Sequence, residues 1–261
     1  MKTKYLLVLS LFMALASCSE NKSTKSDSGD VDLESAIKNA ESRRKADPNA
    51  SGGNQCLLDY QTKYDQVLSE ADMLTATGFS KEVMETKNNK ALKNPEYHEF
   101  IYKFKNGRVS KTGITKGLPM PDVVKIGNIK ATSLSAFENT YRAISDEEMQ
   151  VAKDALNDAA EGKSGDAEAD AAVKKAEDQN VSKEQVKDIG GGIMDMMKEV
   201  SKGYRVVENL GDAARWNIVS NELYVLQNGV QFVILCDVND DNEKNKSVAI
   251  ELAKNILKKC E

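Results

Sequence analysis

Leu223-Tyr224-Val225-Leu226-Gln227-Asn228-Gly229-Val230-Gln231-Phe232-Val233-Ile234-Leu235-Cys236 is the stretch that decides the fold. Two runs of β-branched and large apolar residues flank Asn228-Gly229, the dipeptide that best tolerates positive φ at both centres of a type I′ turn. A tight antiparallel hairpin is expected. The two-residue turn sets its register: Val225 faces Phe232, Leu223 faces Ile234, and Cys236 continues the same apolar face. That face needs a cover. The last helix, about 248–259, offers one, with Ala249, Leu252, Ala253 and Ile256 along one side.

Working outward, 97–104 and 123–131 read as two further strands, the first with Phe100, Tyr102 and Phe104 on one face. Asn106-Gly107 and Pro119-Met120-Pro121 mark the turn and loop between them. Strand, strand, helix therefore occurs at 97–144 and again at 222–259, an internal pseudo-repeat with sparse side-chain matches. Upstream, Leu57, Tyr60, Gln61, Tyr64, Val67 and Leu68 recur with the helical period and predict one amphipathic helix. Ser69 with Asp72 three residues on caps the next helix, Gly78 ends it in the left-handed conformation, and Ser80 caps a short further turn. The fold class is α+β, an antiparallel sheet packed with helices.

Between the two halves lies a charged helical insertion, about 145–202. Ser135 with Glu138, Ser145 with Glu148, and Ser182 with Gln185 have capping-box spacing. Phe137, Tyr141 and Ile144 form one stripe and Met149, Ala152, Leu156 and Ala159 the next, and both helices are expected to lie on the main domain. Residues 161–180 carry hardly any large apolar side chain and read as a protruding or mobile helical insertion. Val186, Ile189, Ile193, Met197 and Val200 restore an apolar stripe. Gly190-Gly191-Gly192 within it reads as a kink or a close-packing point rather than a phosphate cradle. Gly162-Lys163-Ser164 ends like a P-loop, but Asn157 stands where the first glycine belongs and no strand precedes it.

The chain has 261 residues, 30% of them charged and only 6% aromatic. Removing a leader and a linker leaves about 200 residues, enough for one real core. Acids outnumber bases, 41 to 36, and the basic residues alternate with acids, as in Lys81, Glu82, Glu85 and Lys87. Nucleic acid, which requires clustered Lys and Arg, is a poor partner.

At the N-terminus Lys2 and Lys4 precede an uncharged run of 13 residues, Tyr5 to Ser17, too short to span a hydrocarbon core of about 30 Å. It reads as a signal peptide. Its end, Leu15-Ala16-Ser17-Cys18, resembles the lipobox of bacterial lipoproteins at every position: an aliphatic residue, two small ones, and the cysteine whose thiol takes a diacylglyceryl group. An ordinary cleavage site does not require that cysteine, so an incidental match is the poorer reading. The resemblance implies removal of 1–17, a lipid on Cys18 and a membrane partner held through acyl chains. Without Lys2 and Lys4 the mature part carries 34 bases against 41 acids, a formal −7. Ser19 is not the aspartate of inner-membrane retention, which points to the outer membrane of the cell envelope. Residues 18–53 form a lipidated N-terminus and flexible linker, polar from Ser19 to Asp30. Within that linker Leu33, Ala36, Ile37 and Ala40 allow a short helix over 31–46. The α+β domain is taken as 54–261.

Gly211-Asp212-Ala213-Ala214-Arg215-Trp216 stands before the hairpin as a turn. The order of this motif, strand, Asn-Gly turn, strand and helix, after the earlier Phe137 and Tyr141, resembles envelope lipoproteins of Bacteroidetes type and, loosely, lipoprotein domains of PsbP-like fold. The likeness covers the last fifty residues or so well and 56–144 loosely; the insertion has no counterpart. It implies a non-enzymatic binding or accessory module and says more of fold than of function. Physically, Gly211 suits a sharp turn, Asp212 can accept from backbone N–H groups and Trp216 is a large anchor, so a structural role for the three outweighs a ligand-binding one.

Asp237, Asn239 and Asp241 have the spacing that begins a calcium loop, with Glu243 a partial substitute for the missing late glutamate. Asn242 occupies the glycine position and Val248 the glutamate position, so an acidic connector capping the next helix is the plainer reading. Of the three cysteines after Cys18, Cys56 and Cys260 mark the domain ends and are the expected disulfide; Cys236 to Cys260 is the rival. The one histidine, His98, beside a strand, reads as an exposed residue, and no nucleophile, base and acid pattern surrounds it. No cofactor is called for. The reading is a membrane-anchored lipoprotein whose non-catalytic domain binds a small ligand or an envelope protein. A structural assembly factor, or a hydrolase working through carboxylates alone, is the alternative.

Overall fold

The computed structural model describes residues 53–90, 92–111, 113–165 and 167–260. The signal peptide, Cys18 and the short helix expected over 31–46 lie outside the described residues. Among the described residues two compact units are present, one formed by 143–202 and the other by 53–142 and 203–260.

The sheet unit begins with α1 (Gln55–Asp59), α2 (Tyr64–Val67) and α3 (Glu70–Thr77), followed by β1 (Met84–Asn89), β2 (Glu99–Phe104), β3 (Asp122–Ala131) and α4 (Leu134–Thr140). The helical unit contributes α5 (Asp146–Ala160), α6 (Ala167–Asp178) and α7 (Lys183–Ser201). The sheet unit resumes with β4 (Tyr204–Val206), β5 (Ala213–Asn217), β6 (Glu222–Gln227), β7 (Val230–Asp237) and α8 (Asn242–Lys258). The fold is α+β: one antiparallel sheet in the order β1-β2-β3-β7-β6-β5-β4, with helices against it.

The β6–β7 hairpin has the register that its turn predicts, Val225 opposite Phe232 and Leu223 opposite Ile234. Asn228 and Gly229 both take positive φ, 47° and 73°. Phe232, Ile234 and Cys236, with Val124 and Ile126 of β3 and Tyr102 and Phe104 of β2, form the main core together with Leu57, Val67, Leu68 and Met73 of the first helices. Ala249, Leu252, Ala253 and Ile256 of α8 join it. The helix starts earlier than expected, at Asn242, because Asp241 caps it. On the other face of β6, Leu226 packs with Phe137 and Tyr141; the Phe137 ring meets Tyr141 edge-on, and Tyr141 in turn contacts the rings of Tyr204 and Tyr224. Tyr141 accepts a 2.9 Å bond from buried Gln231.

Several expectations need correction. The single helix over 57–68 is two, α1 and α2. A bulge in β3 between Gly127 and Lys130 takes Ile129 out of the ladder. Gln61 Nε2 donates to the Ile129 carbonyl at 2.8 Å and the Tyr64 hydroxyl accepts from its N–H at 3.2 Å. Satisfying a buried backbone pair decides the chain path there, at the expense of helical continuity. The helix after β3 is capped by Ser133, not Ser135, since the chain is still extended at Ser133 and its side chain reaches Ala136 N–H. Ala213 to Trp216 is strand, not turn. Strands β1 and β4 were invisible because edge strands are short or polar, as Met-Glu-Thr-Lys-Asn-Asn is.

The helical unit has its own core of Met149, Ala152, Leu156, Ala159, Ala169, Val173, Val186 and Met194. Helix α5 therefore belongs to this unit and not to the sheet domain, and Ala169 and Val173 give α6 a packed side. Capping boxes at Ser145 and Ser182 start α5 and α7. The buried stripe of α7 runs through Val186, Gly190, Met194 and Ser201 rather than through Ile189 and Met197. The three glycines do not break this helix.

Candidate functional site

Gly211 and Asp212 sit where three segments meet the hairpin turn. Gly211 has φ 61°, and a Cβ on it would lie 2.4 Å from the Leu226 carbonyl oxygen, so only glycine fits. Asp212 N–H then donates to that carbonyl at 2.8 Å, and its carboxylate accepts from Asn228 N–H. Asn54 N–H donates to Asn228 O at 2.8 Å and Thr132 N–H to Gly229 O at 2.9 Å. Three separate parts of the chain thus hold one turn.

Trp216 lies at the centre of the core with no exposed surface, and its indole N–H donates to Asn242 Oδ1 at 2.8 Å. Asn242 in turn donates to Asn221 Oδ1 at 2.7 Å and Ile218 O at 3.1 Å. The residue that spoils the calcium motif is therefore the link between Trp216 and the start of α8.

Beside Gly211 and Asp212 opens a cleft of about 500 Å³, walled also by Gln227, by Lys254 and Lys258 of α8, and by Cys260 just after it. It brings together the turn motif and one half of the disulfide: Cys56 and Cys260 are joined, with Cα atoms 5.6 Å apart. Trp216 is not part of it. Lys254 and Lys258, one turn apart, were not singled out from sequence because i, i+4 lysines on a helix read as solvated surface. The cleft offers ammonium and amide donors and one carboxylate already engaged by the turn, a set suited to holding polar or anionic groups.

The acidic residues after β7 are spent on structure. Asp237 accepts from Arg108 Nη1 at 2.9 Å, Asn239 Oδ1 from Asp241 N–H at 3.0 Å, and Asp241 Oδ1 from Glu243 N–H at 3.0 Å. Glu243 faces Lys246. Among the described residues, no three His, Cys, Asp or Glu side chains converge as metal ligands. Arg108, which sequence reading passed over, pairs with Asp122 at 2.6 Å and Asp237, and reaches toward Asp240 at 3.7 Å. Burial works against its charge, but the three carboxylates raise its pKa. This cluster ties the 105–121 loop to the connector before α8.

His98 is buried, not exposed, with Nε2 2.8 Å from Leu92 O. The sheet face buries the Cys236 thiol, and burial with the nearby Asp237 charge pushes it up to about 12, which makes it an inert core residue. Burial likewise raises Tyr224, with the Glu222 carboxylate adding to the effect. Burial opposes ionisation of Asp72, yet hydrogen bonds from Lys259 and Ser69 hold it below its ordinary value. Lys111 lowers Asp240 against a smaller burial effect. No family model matches the chain, and neither a curated protein nor a solved structure matches it.

Proposed function

We propose that the protein is a lipid-anchored component of a bacterial envelope, in the outer membrane, whose sheet unit is a non-catalytic binding or accessory module. The observation that carries this reading is Leu15-Ala16-Ser17-Cys18 at the end of a short uncharged leader. Two or three acyl chains on Cys18 would hold the mature chain firmly, at about 0.8 kcal/mol per buried methylene. The Cys56–Cys260 disulfide supports an exported location, since such bonds persist in oxidising compartments and are reduced in the cytosol.

Binding rather than catalysis is supported by the electrostatics. Among the described residues, the carboxylates with a resolved shift, Asp72, Asp146, Glu161, Glu184 and Asp240, are all lowered. A general acid needs the opposite direction. The cleft beside Asp212 is the favoured place for a ligand or partner group.

Mass spectrometry of the protein from its native membrane should find a diacylglyceryl-modified Cys18 as the first residue, and Cys18→Ala should leave an unprocessed precursor. An unmodified start elsewhere would sink the anchoring. A photo-crosslinking residue at Lys254 should then trap one partner in the native membrane, and Gly211→Ala should reduce that yield.

A further inference from the structure

Helix α7 has an apolar sector wider than the face it buries. Val186, Gly190 and Met194 point into the helical core, while Ile189 is 44% exposed, Met196 66% and Met197 38%. Ile189, Met196 and the half-buried Ile193 lie on one shoulder at i, i+4 and i+7 spacing, and Gly192 sits between them. A Cβ at Gly192 would meet nothing within 4 Å. A glycine inside a helix costs about 1 kcal/mol against alanine, and no described neighbour uses the space it leaves. Flanking ridges around a gap are what a second helix packs into. Along the edge of the shoulder run Asp188, Asp195 and Glu199, an acidic rim in which Asp195 already pairs with Lys153 and Glu199 with Lys202 at solvent-exposed positions.

One part of the chain outside the described residues matches this surface. Over 31–46, Leu33, Ala36, Ile37 and Ala40 repeat at helical spacing, and Arg43, Arg44 and Lys45 follow directly. The alanines are small enough for close approach at Gly192, and the three cations complement the acidic rim.

We propose that residues 31–46 dock as a helix on the α7 shoulder formed by Ile189, Gly192, Ile193 and Met196, adding a fourth helix to the α5–α7 unit. The docked segment buries the apolar surface that three helices leave open. The docking itself does not depend on the lipid.

The test uses the full mature chain. Ile37→Cys combined with Met196→Cys, under mild oxidation, should give a linked peptide pair from the monomer band. A disulfide-linked dimer would assign the shoulder to a second copy, and an absence of linkage would leave it without this occupant; either result overturns the proposal. Hydrogen exchange on the unsubstituted chain gives an independent readout. Amides of 34–44 should exchange at least about tenfold more slowly than those of 20–29. Met196→Glu, at an exposed position, should abolish that difference while Trp216 fluorescence stays unchanged. Equal exchange in the two segments of the unsubstituted chain overturns the proposal as well.

Discussion

Gly211 illustrates how a single atom is excluded. Both its positive φ and the 2.4 Å approach to Leu226 O act against any side chain. Gly211→Ala should destabilise the sheet unit by about 1–3 kcal/mol, the range for overpacking, read by chemical denaturation followed at Trp216. Lys259 makes a second local argument. Its ammonium donates to Val67 O at 3.0 Å and pairs with Asp72 at 2.6 Å, so it closes the end of α2 and the start of α3 together. Asp72 has a folded pKa below its ordinary 3.8, so its contribution is complete above that value and is lost as pH falls through the depressed one. Lys259→Met should lower stability at neutral pH and flatten the acid limb of the stability curve. An acid limb as steep as that of the parent chain would refute the pairing.

Among the elements, the hairpin and the helix caps were legible because their determinants are local. Asn228-Gly229 dictates turn type and register, and Ser69, Ser145 and Ser182 each find their N–H partner three residues away. The break between α1 and α2 was not legible, since it answers to a bulge some 65 residues later in the chain. The same holds for α7, whose apolar sector is broad enough to be buried in more than one rotation. Its glycines offer a direct measurement. A Cβ at Gly191 meets nothing within 4 Å, and the helix is regular there. Gly191→Ala should therefore stabilise the helical unit by roughly 0.5–1 kcal/mol, seen as a higher melting temperature by circular dichroism. A loss of stability would mean that Gly191 is in contact with something beyond the described residues.

For the molecule as a whole, the two units differ in what holds them. The helical core is made of eight buried residues, five of them alanine or valine, and contains no covalent link. The sheet unit has a larger core and a disulfide closing 204 residues of sequence. On chain entropy alone that bond is worth about 5 kcal/mol. Helical ellipticity should thus fall at lower denaturant than Trp216 fluorescence, and reduction of the disulfide should shift the fluorescence transition far more than the first helical one. Coincident transitions would show that the units unfold together. Trp216, the single tryptophan, makes the separation measurable because it reports the sheet unit.

Turn chemistry, capping residues and strand alternation act between neighbours in the chain, which is why the α+β class, the final hairpin and its covering helix follow from the amino-acid order alone. The order of strands, the burial of His98, the clamp on Asn228-Gly229 and the cleft beside Asp212 were decided only in three dimensions. Each depends on which distant backbone groups and side chains must satisfy one another once water is excluded, and no local pattern encodes that choice.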